Sequence, residues 1–168
     1  HPLPDDVYEA WWQEYLGIYA ENIAAESRPF PGLIAVLDRL ADAGATLAVC
    51  TNKAEHLSRK LLGALGLTDR FAAIAGRDTF PRCYKPNPEH LRGAVRLAGG
   101  DPTRAIMVGD SDIDILAARN AGVPVIAVSF GYTHAPVASF DPDEIIDHYD
   151  EFDAALARVH RALPVSAV

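Results

Sequence analysis

The 168-residue chain is 49% hydrophobic and 23% charged, the profile of one soluble globular domain with a real core, which excludes a disordered polypeptide. A formal charge of -8 and a pI near 5.1, with no Lys/Arg run to form a basic face, argue against nucleic acid as a partner. No apolar run approaches the roughly 18 residues of a membrane span, and His1-Pro2-Leu3-Pro4-Asp5-Asp6 lacks the features of a signal peptide, so the expected location is cytoplasmic, away from membranes.

From Val7 to about Ala25, apolar and aromatic residues including Trp11, Trp12, Tyr15 and Tyr19 recur at helical spacing and predict an amphipathic helix. Arg28-Pro29-Phe30-Pro31-Gly32 breaks it, which sets a hinge near Pro29 between a helical appendage at 1–28 and a main domain at 29–168. Helices and strands then alternate: a helix at Leu33–Ala43, a strand at Thr46–Cys50, a helix at Ala54–Leu65 and a strand at Phe71–Ala75. Pro88–Ala98 reads as a helix with Asn87 as its N-cap. Ala105–Val108 is the next strand, followed by a helix to Ala121 that Gly122 stops. The strand Val125–Ser129 and a helix near Glu151–Leu163 complete the alternation. The fold class is therefore α/β, with a parallel sheet covered by helices on both faces.

Three places in this pattern carry chemistry. After the strand ending at Val108, Gly109-Asp110-Ser111-Asp112-Ile113-Asp114 places carboxylates at a C-terminal strand edge, where open α/β sheets bind ligands. Asp110 and Asp114, four residues apart, can project toward one point and suit Mg²⁺ as hard oxygen donors. A competing reading has Ser111 or Asp112 merely capping the helix. Thr51 and Asn52 stand at an equivalent strand edge, where a hydroxyl, an amide and free helix N–H groups can hold a phosphate; either can also be an N-cap. Lys85, fixed by Pro86 in a stiff loop before the Pro88 helix, is placed to neutralise an anion, although a lone loop lysine is more often simply solvated.

Cys50 and Cys83 are too few and too far apart for a disulfide framework or a zinc cluster; Cys50 reads as a small core residue and Cys83 as a loop thiol. The histidines show no close ligand spacing and read as surface residues, His90 among them.

Taken together and in order, Phe30-Pro31-Gly32, Val49-Cys50-Thr51-Asn52-Lys53, Lys85-Pro86-Asn87-Pro88 and Val108-Gly109-Asp110-Ser111 resemble signature motifs of the haloacid dehalogenase (HAD) superfamily, most of all its phosphoglycolate phosphatase-like members. The resemblance runs from about Phe30 to the C-terminus. It implies a Rossmann-like core and a Mg²⁺-dependent phosphatase acting on a small phosphorylated metabolite such as 2-phosphoglycolate. By that resemblance Thr51 and Asn52 bind the transferring phosphoryl group and Lys85 neutralises charge. Asp110 ligates the metal, and Asp114 orients the metal's water or Lys85. The helix at 1–28 would be the tail of a helical cap that closes over the substrate and excludes water.

The family's first motif, a strand ending in Asp-x-Asp that supplies the nucleophile for an aspartyl-phosphate, has no counterpart here. Asp112-Ile113-Asp114 belongs to the fourth motif, and Asp141-Pro142-Asp143 reads as a polar loop with no apolar strand before it. The start at His1 and this missing strand lead to the expectation of the C-terminal part of a longer protein, inactive alone and exposing backbone edges where the strand would lie. The rival readings are a noncatalytic α/β interaction or Mg²⁺-binding module, and another activity within the superfamily. The sequence carries no signal of oligomeric state.

Overall fold

The computed structural model describes residues 4–162, so the helix end expected at Leu163 and the first three residues lie outside it. Helix α1 (Asp5–Glu21) carries the expected aromatic residues, but Tyr8, Trp11, Trp12, Tyr15 and Ile18 are exposed. The rings instead stack along the helix, Trp12 on Tyr15 at 5.5 Å and Tyr15 on Tyr19 at 6.1 Å. An irregular stretch through Pro29 leads to α2 (Leu33–Asp42). Gly32 opens α2 with φ of 83°, a left-handed conformation suited to glycine, and a Cβ there would lie 2.9 Å from the Tyr149 Cβ.

The alternation continues with β1 (Ala48–Cys50), α3 (Glu55–Ala64), β2 (Ala73–Ala75), α4 (Pro88–Leu97), β3 (Met107–Gly109) and α5 (Asp112–Ala121). β4 (Val125–Val128), β5 (Glu144–Ile146) and α6 (Phe152–Ala162) follow. All pairings between these strands are parallel. Asn87 caps α4 by accepting the Glu89 N–H at 3.0 Å, and Gly122 ends α5 in a left-handed conformation, both as expected.

Every residue of β4 is buried, and its alternating side chains build two cores. Val125 and Ala127 join Leu91, Ile115 and Ala118 beneath α4 and α5. Ile126 and Val128 join Val36, Ile146 and Phe152 beneath α2 and α6. A strand apolar on both sides is what helices on both faces require.

Two expectations are corrected, at β5 and at His90. The alternation predicts no strand between Val125–Ser129 and the last helix, but β5 lies there, a three-residue strand that an apolar-run criterion misses because only Ile146 is buried while Glu144 pairs with Arg158 of α6 at 2.7 Å. The sheet is not continuous: among the described residues β1 bonds only β2, and β3 only β4. The edges of β1 and β3 away from those partners carry no strand, and Val108 in β3 is 38% exposed. α4 packs against β1, β2 and α5, joining the two sheets from one side. Finally, His90 is not on the surface; it is fully buried on the inner face of α4.

Candidate active site

The turn from β3 into α5 shows that capping and site formation use the same residues. Ser111 is the N-cap of α5, and its hydroxyl donates to Asp114 Oδ2 at 2.7 Å. The same carboxylate oxygen accepts the backbone N–H groups of Asp110 and Ser111, each at 3.2 Å. The other, Oδ1, accepts from the Lys85 ammonium. Asp114 and Lys85 are 4% and 8% exposed, so this is a buried ion pair in which the carboxylate has further donors around it. Gly109 is required by the tightness of the turn, because a Cβ there would lie 2.4 Å from the Asp114 Cβ.

Asn52 fixes the backbone from which Lys85 projects. Its amide NH₂ donates to the Lys85 carbonyl at 2.9 Å, and its side-chain oxygen accepts the Lys85 N–H at 3.0 Å. The Asn120 amide donates to the next carbonyl, that of Pro86, at 3.3 Å. The side chain expected to help hold a phosphate is thus turned toward the loop. Thr51 N–H donates to the Ala75 carbonyl at 2.9 Å, continuing the pairing of β1 with β2, and its hydroxyl oxygen accepts the Lys53 N–H at 3.2 Å. That oxygen closes the turn into α3, while its O–H proton has no acceptor among the described residues. Asn52, Lys85, Asp114 and Asp110 form one hydrogen-bonded chain, which Thr51 joins through its peptide bond to Asn52.

Behind this chain lies a buried pair. Gly76 offers only a carbonyl to His90 Nε2, at 2.9 Å, so that nitrogen carries the proton and Nδ1 accepts the Cys50 thiol at 3.5 Å. Burial pushes the Cys50 thiol up to about 11, with the Lys85 charge opposing, and lowers the His90 pKa below its ordinary value. Both side chains are therefore neutral at pH 7.

Of the two carboxylates expected to converge on a metal, Asp114 faces Lys85 and the turn's N–H groups, whereas Asp110 faces an open depression of about 270 Å³. Phe30, Val108, Val128 and Tyr149 line that depression with it. Asp110 Oδ2 accepts the Tyr132 backbone N–H at 2.8 Å, and Asp110 forms no ion pair among the described residues. A Cβ on Gly131 would lie 2.1 Å from the Asp110 Cβ, so the loop after β4 presses directly on the carboxylate. Phe30 and Tyr149 each pack edge-on against Phe130 at 5.2 Å. Burial, and then the Asp110 charge, raise the Tyr149 hydroxyl above its ordinary pKa.

Gly131 and Tyr132 were missed in the sequence because the group that matters is a backbone N–H. Their place just beyond the C-terminal edge of β4 was the one available signal. Among the described residues no three or more His, Cys, Asp or Glu side chains converge. Asp110 is a hard, unpaired oxygen donor and fits Mg²⁺, an ion that commonly takes one or two carboxylates and completes its six oxygens with water and a bound phosphate.

Comparison with known proteins adds four findings. A family model described as haloacid dehalogenase-like hydrolase matches residues 4–128. Over 143 residues the chain is 52% identical to a phosphoglycolate phosphatase of Mesorhizobium japonicum, covering 85% of this chain and 63% of that protein, so it spans less than two thirds of that relative's length. Among solved structures, a predicted phosphoglycolate phosphatase from Haemophilus somnus superposes with a TM-score of 0.86 at 30% identity, covering 92% of this chain and 68% of the other. CbbY from Rhodobacter sphaeroides, solved in complex with xylulose-1,5-bisphosphate, superposes with a TM-score of 0.71 at 28% identity, covering 93% and 70%.

Proposed function

Because the chain belongs to the haloacid dehalogenase-like hydrolases, we propose that its natural gene product is a cytoplasmic Mg²⁺-dependent phosphatase that hydrolyses a small phosphomonoester such as 2-phosphoglycolate. The observation that carries this reading is the hydrogen-bonded chain Asn52–Lys85–Asp114–Asp110, which ties a buried ammonium through Asp114 to the backbone of Asp110, whose own carboxylate forms no ion pair among the described residues. Phosphoryl transfer needs positioning and charge neutralisation, and this arrangement supplies both.

In this mechanism the Thr51 hydroxyl donates its unused proton to a phosphoryl oxygen. Lys85 neutralises the charge shared by the nucleophile and the transferring group, held in place by Asn52 at its backbone and Asp114 at its ammonium. Asp110 would hold the metal directly, and Asp114 would act by holding Lys85 and by orienting water at the metal. Mg²⁺ bound there would supply further positive charge to the phosphoryl oxygens. Residues 1–28 contribute the tail of a cap that shields the reaction from water.

The nucleophile is an aspartate that becomes phosphorylated, and it comes from outside these 168 residues, so the 168-residue piece alone is inactive. The edges of β1 and β3 that carry no strand among the described residues support this, because Thr51 and Asp110 directly follow those two strands. The relatives named for phosphoglycolate, and the one bound to a sugar bisphosphate, support a small phosphorylated metabolite as substrate.

The test is phosphate release from 2-phosphoglycolate and related esters by the natural gene product, with Mg²⁺ or with excess chelator, in wild type and in Lys85→Met and Asp110→Asn. Mg²⁺-dependent release that both substitutions abolish supports the proposal. Metal-independent release, or no release from any small phosphate ester, refutes it.

A further inference from the structure

Lys53 begins from a fixed backbone. Its N–H donates to the Thr51 hydroxyl oxygen at 3.2 Å, and its carbonyl accepts the Arg77 N–H at 3.0 Å from the end of β2. One residue, Asn52, separates it from Thr51, and Cα atoms so placed are at most about 7 Å apart, the span of a small molecule. Thr51 and the Lys53 ammonium can therefore reach two ends of one ligand.

The surroundings of that ammonium are unusual for a chain with formal charge -8. Lys85 is neutralised by Asp114, but Lys53, itself half-buried, has no carboxylate partner among the described residues. It meets Tyr19 of α1 instead, donating to the phenol oxygen and lying 4.5 Å from the ring centroid. A neutral phenol oxygen holds a cation without cancelling its charge. Of the three ammonium protons, one is used by Tyr19 and two remain, and the Tyr19 O–H proton is also free to be donated. Both donors sit at the C-terminal edge of β1, on the side where α1 meets the main domain.

We propose that Lys53, steadied by Tyr19, binds a second anionic group of the substrate, a carboxylate at the end opposite the phosphate, and so selects carboxylate-bearing small phosphate esters over those whose remaining part is uncharged. The proposal rests on the phosphatase reading above and assigns the origin of its selectivity. Charge-assisted hydrogen bonds from one ammonium and one phenol would hold the carboxylate, while Thr51 and Lys85 hold the phosphoryl group. Because the carboxylate does not react, the interaction acts mainly on binding.

The experiment compares kcat and KM of the natural gene product for 2-phosphoglycolate and for p-nitrophenyl phosphate, which has no carboxylate, in wild type, Lys53→Met, Lys53→Arg and Tyr19→Phe. Lys53→Met should lower the phosphoglycolate-to-aryl ratio of kcat/KM about tenfold or more, chiefly through KM for phosphoglycolate. Lys53→Arg should recover most of that loss, and Tyr19→Phe should show a smaller loss in the same direction. A ratio that stays within about twofold in Lys53→Met, whether both activities fall together or neither does, overturns the role of Lys53 and leaves the phosphatase reading standing. Wild-type protein that releases phosphate from neither ester overturns the phosphatase reading, and this proposal with it.

Discussion

Asn52 holds the backbone of Lys85 by both of its polar groups, donating to the carbonyl at 2.9 Å and accepting from the N–H at 3.0 Å. An asparagine just past β1 thereby fixes a lysine 33 residues further along the chain, in the loop that precedes α4.

Asn52→Ala removes both bonds and leaves a half-buried N–H and carbonyl without partners, at a cost of about 1–3 kcal/mol in stability. Lys85 keeps its charge but loses its placement, so kcat should fall about tenfold or more with a smaller change in KM. Urea denaturation and steady-state phosphate release on the same preparation check both statements.

The Lys85–Asp114 pair is asymmetric. Asp114 keeps three donors when Lys85 is removed, whereas Lys85 has no other acceptor among the described residues. Asp114→Asn leaves an ammonium buried without a counter-charge and should cost about 3–5 kcal/mol, whereas Lys85→Met should cost less by about 1 kcal/mol or more. Urea midpoints of the two variants and of the double variant measure the difference; equal losses would contradict the asymmetry.

Gly131→Ala tests the loop that presses on Asp110. The added methyl has its nearest neighbour at 2.1 Å, in the Asp110 side chain itself, so the carboxylate or the loop must move. The expected result is a rise of tenfold or more in the Mg²⁺ concentration that half-activates phosphate release, with a stability cost of about 1–3 kcal/mol. A variant with the wild-type Mg²⁺ midpoint would show that this contact does not position the metal ligand.

His90 makes stability depend on pH in a stated direction. Its folded pKa lies below the unfolded value of about 6.5, so between the two the unfolded chain binds more protons. Its contribution is complete above about pH 6.5 and is lost as pH falls toward the folded pKa. The urea midpoint should drop between pH 7.5 and 5.5. His90→Gln, whose amide can still meet Gly76 and Cys50, should drop less; equal slopes would assign the effect to other groups.

Local patterns explain what could be foreseen. Thr51, Asp110 and Asp114 sit where an apolar run gives way to a polar turn and a helix, Lys85 is marked by the prolines that follow it, and helix stops such as Gly122 follow from backbone conformation. What stayed hidden depends on distant pairings. The partner of the Asn52 amide lies 33 residues away, the Tyr132 contact with Asp110 uses a main-chain N–H, and His90 is buried because α4 turns that face onto β1 and β2. β5 has three residues, and only the neighbouring β4 identifies them as a strand. Local strand runs do not state which of their edges are paired, so the expectation of open edges rests on the family resemblance and not on the runs themselves.

Phe30 occupies two structures at once. It closes the irregular stretch after α1, between Pro29 and Pro31, and its ring is part of the wall around Asp110. The arm and the chamber therefore share a brick: the stretch that follows α1 supplies the aromatic plate that bounds the acid's niche. The path of that stretch and the contour of the cavity are set by one ring.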